Sequence, residues 1–327
     1  MASQKRGTIV HWQSLSPILA SFRLAPEDGS SFPDYAPGHY IALRRENCRL
    51  TRRLTDTDGK VSYAPDTDET GQPRYGAVTH SYSITSSPCE TRQHGCLEFY
   101  VVLEKGEGQY PGRFTESLFR DQPGGDPHLT YFDRITGDFT LQKRAAGFSS
   151  VLFVGTGTGL APFRSMIKQL HSEAAEGKKD SVRYTLFHAN RTLDELAYHE
   201  ELAAIEASRS FDFVYLPSVS RPSPLDLGNG ALGRGRANNL LRALFDMPLR
   251  EEEARSAAPA GSGAALAQAA LERTVRPIFP NHHSASELRA RLDPSSTVVL
   301  TCGNPDVMAD IAAIASANGF RFEKEDW

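Results

Sequence analysis

The stretch Val151-Leu152-Phe153-Val154-Gly155-Thr156-Gly157-Thr158-Gly159-Leu160-Ala161-Pro162 constrains the fold more than any other segment. Its first four residues read as a short buried strand. Alternating glycines then allow a tight turn and let backbone N–H groups approach an anion, because no Cβ stands in the way. Phe163, Met166, Ile167 and Leu170 follow at helical spacing. Pro162 suits the first turn of that helix, where its missing N–H costs nothing. Strand, glycine turn and helix N-terminus in succession hold pyrophosphates in doubly wound parallel sheets. The spacing is Gly-x-Gly-x-Gly, not the dehydrogenase Gly-x-Gly-x-x-Gly.

The rest of the C-terminal half repeats this alternation. Strand-like runs at Tyr184–Phe187, Phe211–Leu216 and Thr297–Thr301 alternate with helical segments at 195–207, 237–245 and 305–317, which argues for a parallel sheet. Residues 248–295 break the rhythm with an Ala-rich, Gly- and Pro-containing segment, read as an exposed, partly mobile insertion with a short helix over 264–273. The N-terminal half is instead β-rich. Runs at Gly7–Trp12, Ile18–Leu24, Tyr40–Arg44, His80–Ile84 and Leu97–Leu103 are separated by Pro, Gly, Ser and Asp. Residues 45–79 read as a long loop or loose hairpin. For a chain of 327 residues, two domains are expected: 1–147 and 148–327, the second carrying the insertion at about 248–295.

Composition excludes several classes. Thirty-six Lys and Arg against 40 Asp and Glu give a charge of −4, the wrong balance for nucleic-acid binding. No apolar run approaches the ~20 residues that span a bilayer. The N-terminus lacks the apolar stretch of a signal peptide, so the cytoplasm is the expected compartment. Cys48, Cys89, Cys96 and Cys302 have no paired short spacing, so neither a cysteine-held metal nor an internal iron–sulfur cluster is expected, and the four are read as reduced thiols.

Two further motifs bear on chemistry. His80-Ser81-Tyr82-Ser83-Ile84-Thr85-Ser86 ends a strand with a tyrosine and a row of hydroxyls, offering a flat face and donors to a ring system. Thr301-Cys302-Gly303-Asn304-Pro305 lies at the C-terminal end of a strand, where open α/β sheets bind ligands. In order along the chain the matches are His80-x-Tyr82-Ser83-x-x-Ser86, Gly112-x-x-Thr115, Gly155-x-Gly157-x-Gly159-x-x-Pro162 and Cys302-Gly303-x-Pro305. With these the chain resembles the ferredoxin–NADP reductase family of flavoproteins from about residue 38 onward. It departs from the family in two places: His80 replaces an arginine, and Val307 stands where the family has methionine, with Met308 one position late.

The resemblance implies an N-terminal antiparallel β-barrel that binds FAD, followed by a doubly wound α/β domain that binds NADP(H). It implies that Tyr82 stacks on the isoalloxazine and that Ser83 bonds near flavin N5, with His80 and Ser81 beside them. Val101, Leu103 and the turn Gly112-Arg113-Phe114-Thr115 would line the rest of FAD. Gly155, Thr156, Gly157, Thr158, Gly159 and Pro162 would hold the nucleotide pyrophosphate. Ser83 and Cys302 are the implied catalytic residues, Cys302 beside the nicotinamide with Gly303 and Met308 nearby. Trp327 resembles the terminal aromatic that shields the flavin. Ser220 and Arg221, with Arg234 and Arg236, would meet a 2′-phosphate. These cations, and the lack of an acidic residue at that strand end, favour NADPH over NADH. The loss of the arginine at position 80 leaves FMN open beside FAD, with Arg44, Arg45 or Arg113 as substitute cations.

The family's usual partner is a ferredoxin or flavodoxin. Arg44, Arg45, Arg49, Arg52 and Arg53 form the densest basic cluster and are the expected docking surface for such an acidic protein. The alternatives are an NADH-dependent reductase feeding an oxygenase, and a flavin- or nucleotide-binding regulatory protein of low turnover.

Overall fold

The computed structural model describes residues 3–104, 113–259 and 261–325. It contains two units, which divide at Asp138 and Phe139. The first is built from β1 (Gln4–Ser16), β2 (Leu19–Pro26), β3 (Tyr40–Arg49), β4 (Thr51–Thr55), β5 (Val61–Pro65), β6 (Tyr75–Ser83), α1 (Pro88–His94), β7 (Leu97–Val102), α2 (Phe114–Asp121) and β8 (His128–Phe132). Six strands form one antiparallel sheet in the order β6-β3-β8-β1-β2-β7. The chain leaving β6 curls back to the far edge, where the Thr85 N–H donates to the Glu98 carbonyl of β7 at 2.8 Å. This is the expected barrel-type layer. Its interior alternates along each strand, with Phe22, Leu24, Ile41, Leu43, Leu97 and Phe99 fully buried.

Residues 45–79 are more regular than their composition suggests. The β3–β6 pairing continues past a bulge at Arg45–Cys48 out to Arg49 and Tyr75, and β4 pairs with β5 as a hairpin. Their side chains are mostly solvated, so the segment carries no hydrophobic period by which to recognise strands.

The second unit contains α3 (Leu141–Arg144), β9 (Ser150–Thr156), α4 (Ala161–Ala175), β10 (Arg183–Asn190), α5 (His199–Ser208), β11 (Phe213–Val219), β12 (Gly233–Arg234) and α6 (Ala237–Leu244). It continues with α7 (Arg250–Ala257), α8 (Ser262–Glu272), α9 (Ala285–Arg291), β13 (Thr297–Cys302), α10 (Pro305–Ala317) and β14 (Arg321–Lys324). All its strands are parallel, in the order β12-β11-β10-β9-β13-β14. The chain starts at β9, moves outward one way, then returns to add β13 on the other side. The strand order therefore reverses between β9 and β13, the place where such sheets bind ligands beyond their carboxyl ends. Both central strands are buried along their length, as a sheet covered on both faces requires.

The Ala-rich insertion is not simply exposed. Its expected helix appears as α8, but α7 and α9 flank it, and Leu249, Glu251, Leu288 and Leu292 are buried. Among the described residues no helix is long and apolar enough to cross a membrane. All four cysteines are free.

Candidate functional site

In the second unit β9 runs into a 3₁₀ turn, Gly157–Leu160, and then α4, with Pro162 in the first helical turn. The glycines have different duties. A Cβ on Gly157 would meet nothing within 4 Å, but its φ is +56°. A Cβ on Gly159 would lie 2.2 Å from the Cys302 carbonyl oxygen. Gly159 thus lets the turn press against the end of β13, and Gly157 turns the backbone outward. Gly303 completes the junction. Its φ is +130°, and a Cβ there would fall 2.2 Å from Thr156 Oγ1. The Asn304 N–H donates to that same hydroxyl at 3.2 Å. Among the described residues no side chain caps the 3₁₀ turn that leads into α4; the Ala161 N–H is taken by the Thr158 carbonyl and Pro162 has none, so the N–H groups at the start of the turn are the ones open to an anion.

A cleft of about 930 Å³ opens at this junction, lined by Thr156, Gly157, Asn190, Ser220, Asn304 and Val307 among others. Five arginines line it, Arg191, Arg221, Arg236, Arg250 and Arg273, against two carboxylates, Glu251 and Asp306. Arg191 is held by Glu195 and Arg236 by Glu251 at 3.2 Å. The volume and the surplus of cations suit a nucleotide with several phosphates.

At the end of β13, Cys302 is fully buried and its thiol donates to Glu325 Oε2 at 2.9 Å. Burial pushes the thiol pKa far up, and the neighbouring Glu325 pushes it further. The group is therefore a neutral donor, not a thiolate.

In the first unit, His80 and Tyr82 alternate onto one face of β6 and meet Phe114 at the start of α2, with ring centroids 6.2 and 5.2 Å away. Among the described residues no side chain caps the α2 N-terminus, and Arg113 occupies its N-cap position. Thr115 Oγ1 accepts the Glu104 N–H at 3.3 Å. The Thr85 hydroxyl is buried with no partner among the described residues. An aromatic face beside a helix end that carries a cation at its N-cap fits a ring carrying a diphosphate.

Comparison with known proteins agrees with this geometry. Residues 153–232 match the model of the oxidoreductase NAD-binding domain. A flavohemoprotein of Halalkalibacterium halodurans is 28% identical over 218 residues, covering 66% of this chain and 44% of the relative. A component of the Na(+)-translocating NADH-quinone reductase of Pseudomonas aeruginosa is 24% identical over 233 residues, covering 67% and 52%. The chain thus spans about half the length of these curated relatives. The crystal structure of a ferredoxin NADP+ reductase from Neisseria gonorrhoeae with bound FAD and NADP superposes with a TM-score of 0.58 at 17% identity, covering 99% of each chain.

The chain has the fold of the ferredoxin–NADP reductases.

Against that fold, the expected site residues sort into three groups. Thr156, Gly157, Ser220, Arg221 and Arg236 come together around one cleft; Gly155, Gly159, Pro162 and Gly303 lie in or against the turn that bears Thr156 and Gly157 without lining the cleft. Several others do not join. Arg234 turns to the Leu227 carbonyl and is absent from the cleft lining. Val101 and Phe114 are each 2% exposed within the first unit's core, so Val101 packs inside the layer rather than lining a cofactor. Met308 is buried, and Val307, one position earlier, faces the cleft instead. Thr158 is half-buried outside the cleft lining, and Ser81 lies on the exposed face of β6. Ser83 is buried at the end of β6, and Leu103 follows β7 with its N–H on Ile18. Gly112 and Trp327 lie outside the described residues.

Two expected cation roles are corrected. Arg45 cannot serve a diphosphate or a docking surface. It is 2% exposed and donates to Asp121, His128 O and Asp126 O. Arg44 pairs with Glu46 at 2.7 Å. Of the proposed basic cluster, Arg52 and Arg53 remain exposed on β4. His80 does not restore the missing charge either, because burial lowers its pKa and keeps it neutral. Arg113 is the remaining candidate of the three.

The sequence reading missed Glu325, Arg250 and Arg273. Glu325 is placed by its N–H on Thr301 O, alongside β13. That placement brings its carboxylate to the Cys302 thiol. The two arginines come from the segment read as a bare insertion.

Proposed function

We propose that the chain is an FAD-dependent oxidoreductase that takes reducing equivalents from NADPH and passes them to a separate electron-transfer protein, a ferredoxin or flavodoxin. The observation that carries this reading is the arginine-lined cleft at the glycine turn, with Ser220 and Arg221 at the end of β11. Bound FAD supplies the step from two-electron hydride chemistry to one-electron transfer. The protein's own part is to bind, orient and exclude water. Gly157 and the N–H groups of the 3₁₀ turn before α4 receive the pyrophosphate. Arg221, whose side chain has no protein partner among the described residues, meets the 2′-phosphate. Cys302, buried and held neutral beside Glu325, backs the nicotinamide site as a small uncharged side chain. Tyr82, Ser83, Arg113 and Thr115 would hold FAD.

The experiment is the visible spectrum before and after anaerobic NADPH. Yellow absorbance that bleaches promptly, and returns when oxidised ferredoxin or flavodoxin is added, is the expected result. A preparation that free FAD cannot turn yellow would sink the reading. Arg221→Ala is expected to weaken NADPH by about 10- to 100-fold, the worth of one charge-assisted hydrogen bond. NADH should change less than threefold or so. Equal losses with both nucleotides would remove Arg221 from 2′-phosphate recognition.

A second reading rests on a specific likeness. One relative is named as part of an NADH-quinone reductase, and in this chain Arg191 and Arg236 are already partnered by carboxylates. An NADH-dependent reductase component would show NADH turnover at least equal to NADPH turnover.

A further inference from the structure

Away from the cleft, the turn before α9 presents two adjacent imidazoles to one carboxylate. His283 Nε2 lies 2.9 Å from Glu206 Oε1, and His282 Nε2 lies 3.8 Å from Glu206 Oε2. The three ligand atoms all fall within 4.8 Å of one another, and the rings stand 4.3 Å apart. Neighbouring residues in extended chain point to opposite sides. Here a turn closed by His283 N–H on the Pro280 carbonyl brings both rings to the same side. A single histidine would suffice for an ordinary hydrogen bond to Glu206. A second one turned to the carboxylate's other oxygen needs another reason.

We propose that Glu206, His282 and His283 form a binding site for a divalent transition cation, Zn2+ foremost, that ties the turn before α9 to helix α5. Bonds of 2.0–2.2 Å in a tetrahedron put ligand atoms about 3.3–3.6 Å apart; the imidazoles approach the carboxylate at 2.9 Å (Oε1) and 3.8 Å (Oε2), and one atom from each residue falls within 4.8 Å of the others, so small side-chain shifts close a tetrahedral face. Two imidazoles and a carboxylate are a zinc-type donor set. The ligands are also held from behind. The Tyr215 N–H of β11 donates to Glu206 Oε1 at 2.9 Å. The Asn281 N–H donates to the Gly230 carbonyl at 2.8 Å, and Ser284 caps α9. Such outer contacts orient a carboxylate and a loop before the metal arrives. His283 and Glu206 are 16% and 20% exposed, whereas His282 is 47% exposed. The site is therefore open to solvent on one side, with room for water as a fourth ligand.

The test titrates Zn2+ calorimetrically into the tag-free, EDTA-treated full chain. The expected result is one saturable site and a rise in Tm. In a His282→Ala/His283→Ala double variant, and separately in Glu206→Gln, affinity is expected to fall at least about tenfold, a loss that even outer-shell changes can cause. Glu206→Gln keeps an oxygen for the Tyr215 N–H. An unchanged Tm in EDTA shows that each variant folds. Cys89→Ser, which removes a partly exposed thiol, should leave Zn2+ uptake intact. The proposal is overturned if the parent chain shows no saturable uptake. It is equally overturned if uptake persists undiminished in the double variant, or disappears with Cys89→Ser.

Discussion

Gly159→Val is expected to abolish productive nucleotide binding. The new side chain would begin 2.2 Å from the Cys302 carbonyl oxygen, 2.3 Å from its carbon and 2.6 Å from the Gly303 nitrogen. All three are backbone atoms at the end of β13, so no rotamer can relieve the clash. The turn after β9 has to move off the strand beside it. Overpacking of this kind costs about 1–3 kcal/mol of stability. The larger consequence is for the proposed anion site, because the displaced turn carries the N–H groups that would face a pyrophosphate. Losing one or two charge-assisted bonds, each about 1.5–3 kcal/mol, weakens binding by roughly 10- to 10⁴-fold. Gly157 supplies the contrast. Its surroundings are open, and only its φ of +56° resists a side chain. Gly157→Asn, which tolerates that region, should therefore bind far better than Gly157→Val. NADP+ titration of the three variants measures this. A Gly159→Val protein that binds within twofold of the parent would refute the packing argument.

Arg242→Ala is expected to be the most destabilising single change in the second unit outside the nucleotide site. Arg242 on α6 forms a two-pronged pair with Asp310 on α10, at 2.6 and 3.0 Å, with the two side chains 4% and 6% exposed. Asn238 adds a third bond to Asp310 at 2.7 Å, and Arg242 also donates to the Pro248 carbonyl. Removing the guanidinium leaves a buried carboxylate with one neutral donor. Breaking such a pair from one side costs about 3–5 kcal/mol, or roughly 6–20 °C in Tm. Replacing both partners with apolar residues, as in Arg242→Met/Asp310→Leu, should recover most of that loss. A thermal melt of the single and double variants decides it, and an Arg242→Ala protein melting within 2 °C or so of the parent would contradict it.

The pair also sets a pH dependence. Burial alone would raise the Asp310 pKa, but hydrogen bonds from Arg242 and Asn238 outweigh it and hold the carboxyl below its ordinary 3.8. Protons then bind the unfolded chain more readily than the folded one. The contribution is complete above that ordinary value and fades as pH falls through the depressed folded value. Melts of the parent and of Arg242→Met/Asp310→Leu should therefore converge in acid.

Sequence alone determined the features whose physical cause is local. The strand–glycine turn–helix at 151–162 can be read directly, because a run of apolar residues, a missing Cβ and an N-terminal proline each act within a few residues. The parallel order of the second unit followed from strands alternating with helical periods. The same holds for the order of the four motifs that carried the family resemblance.

Tertiary structure decided what depends on a partner far along the chain. β12 and β14 are short and make sense only beside β11 and β13. Arg45 and Arg52 look alike in sequence, but one is locked under β3 by Asp121 and the other is exposed on a hairpin. Arg221 and Arg234 were both candidates for the 2′-phosphate, and the fold turned one to the cleft and the other to a carbonyl. Glu325 gained its place beside Cys302, and His282 and His283 theirs beside Glu206, from segments brought together across 23 and 77 residues. A charge or a hydrogen-bonding group has no address until folding chooses its neighbour, whereas a backbone conformation is largely chosen by the residue that adopts it.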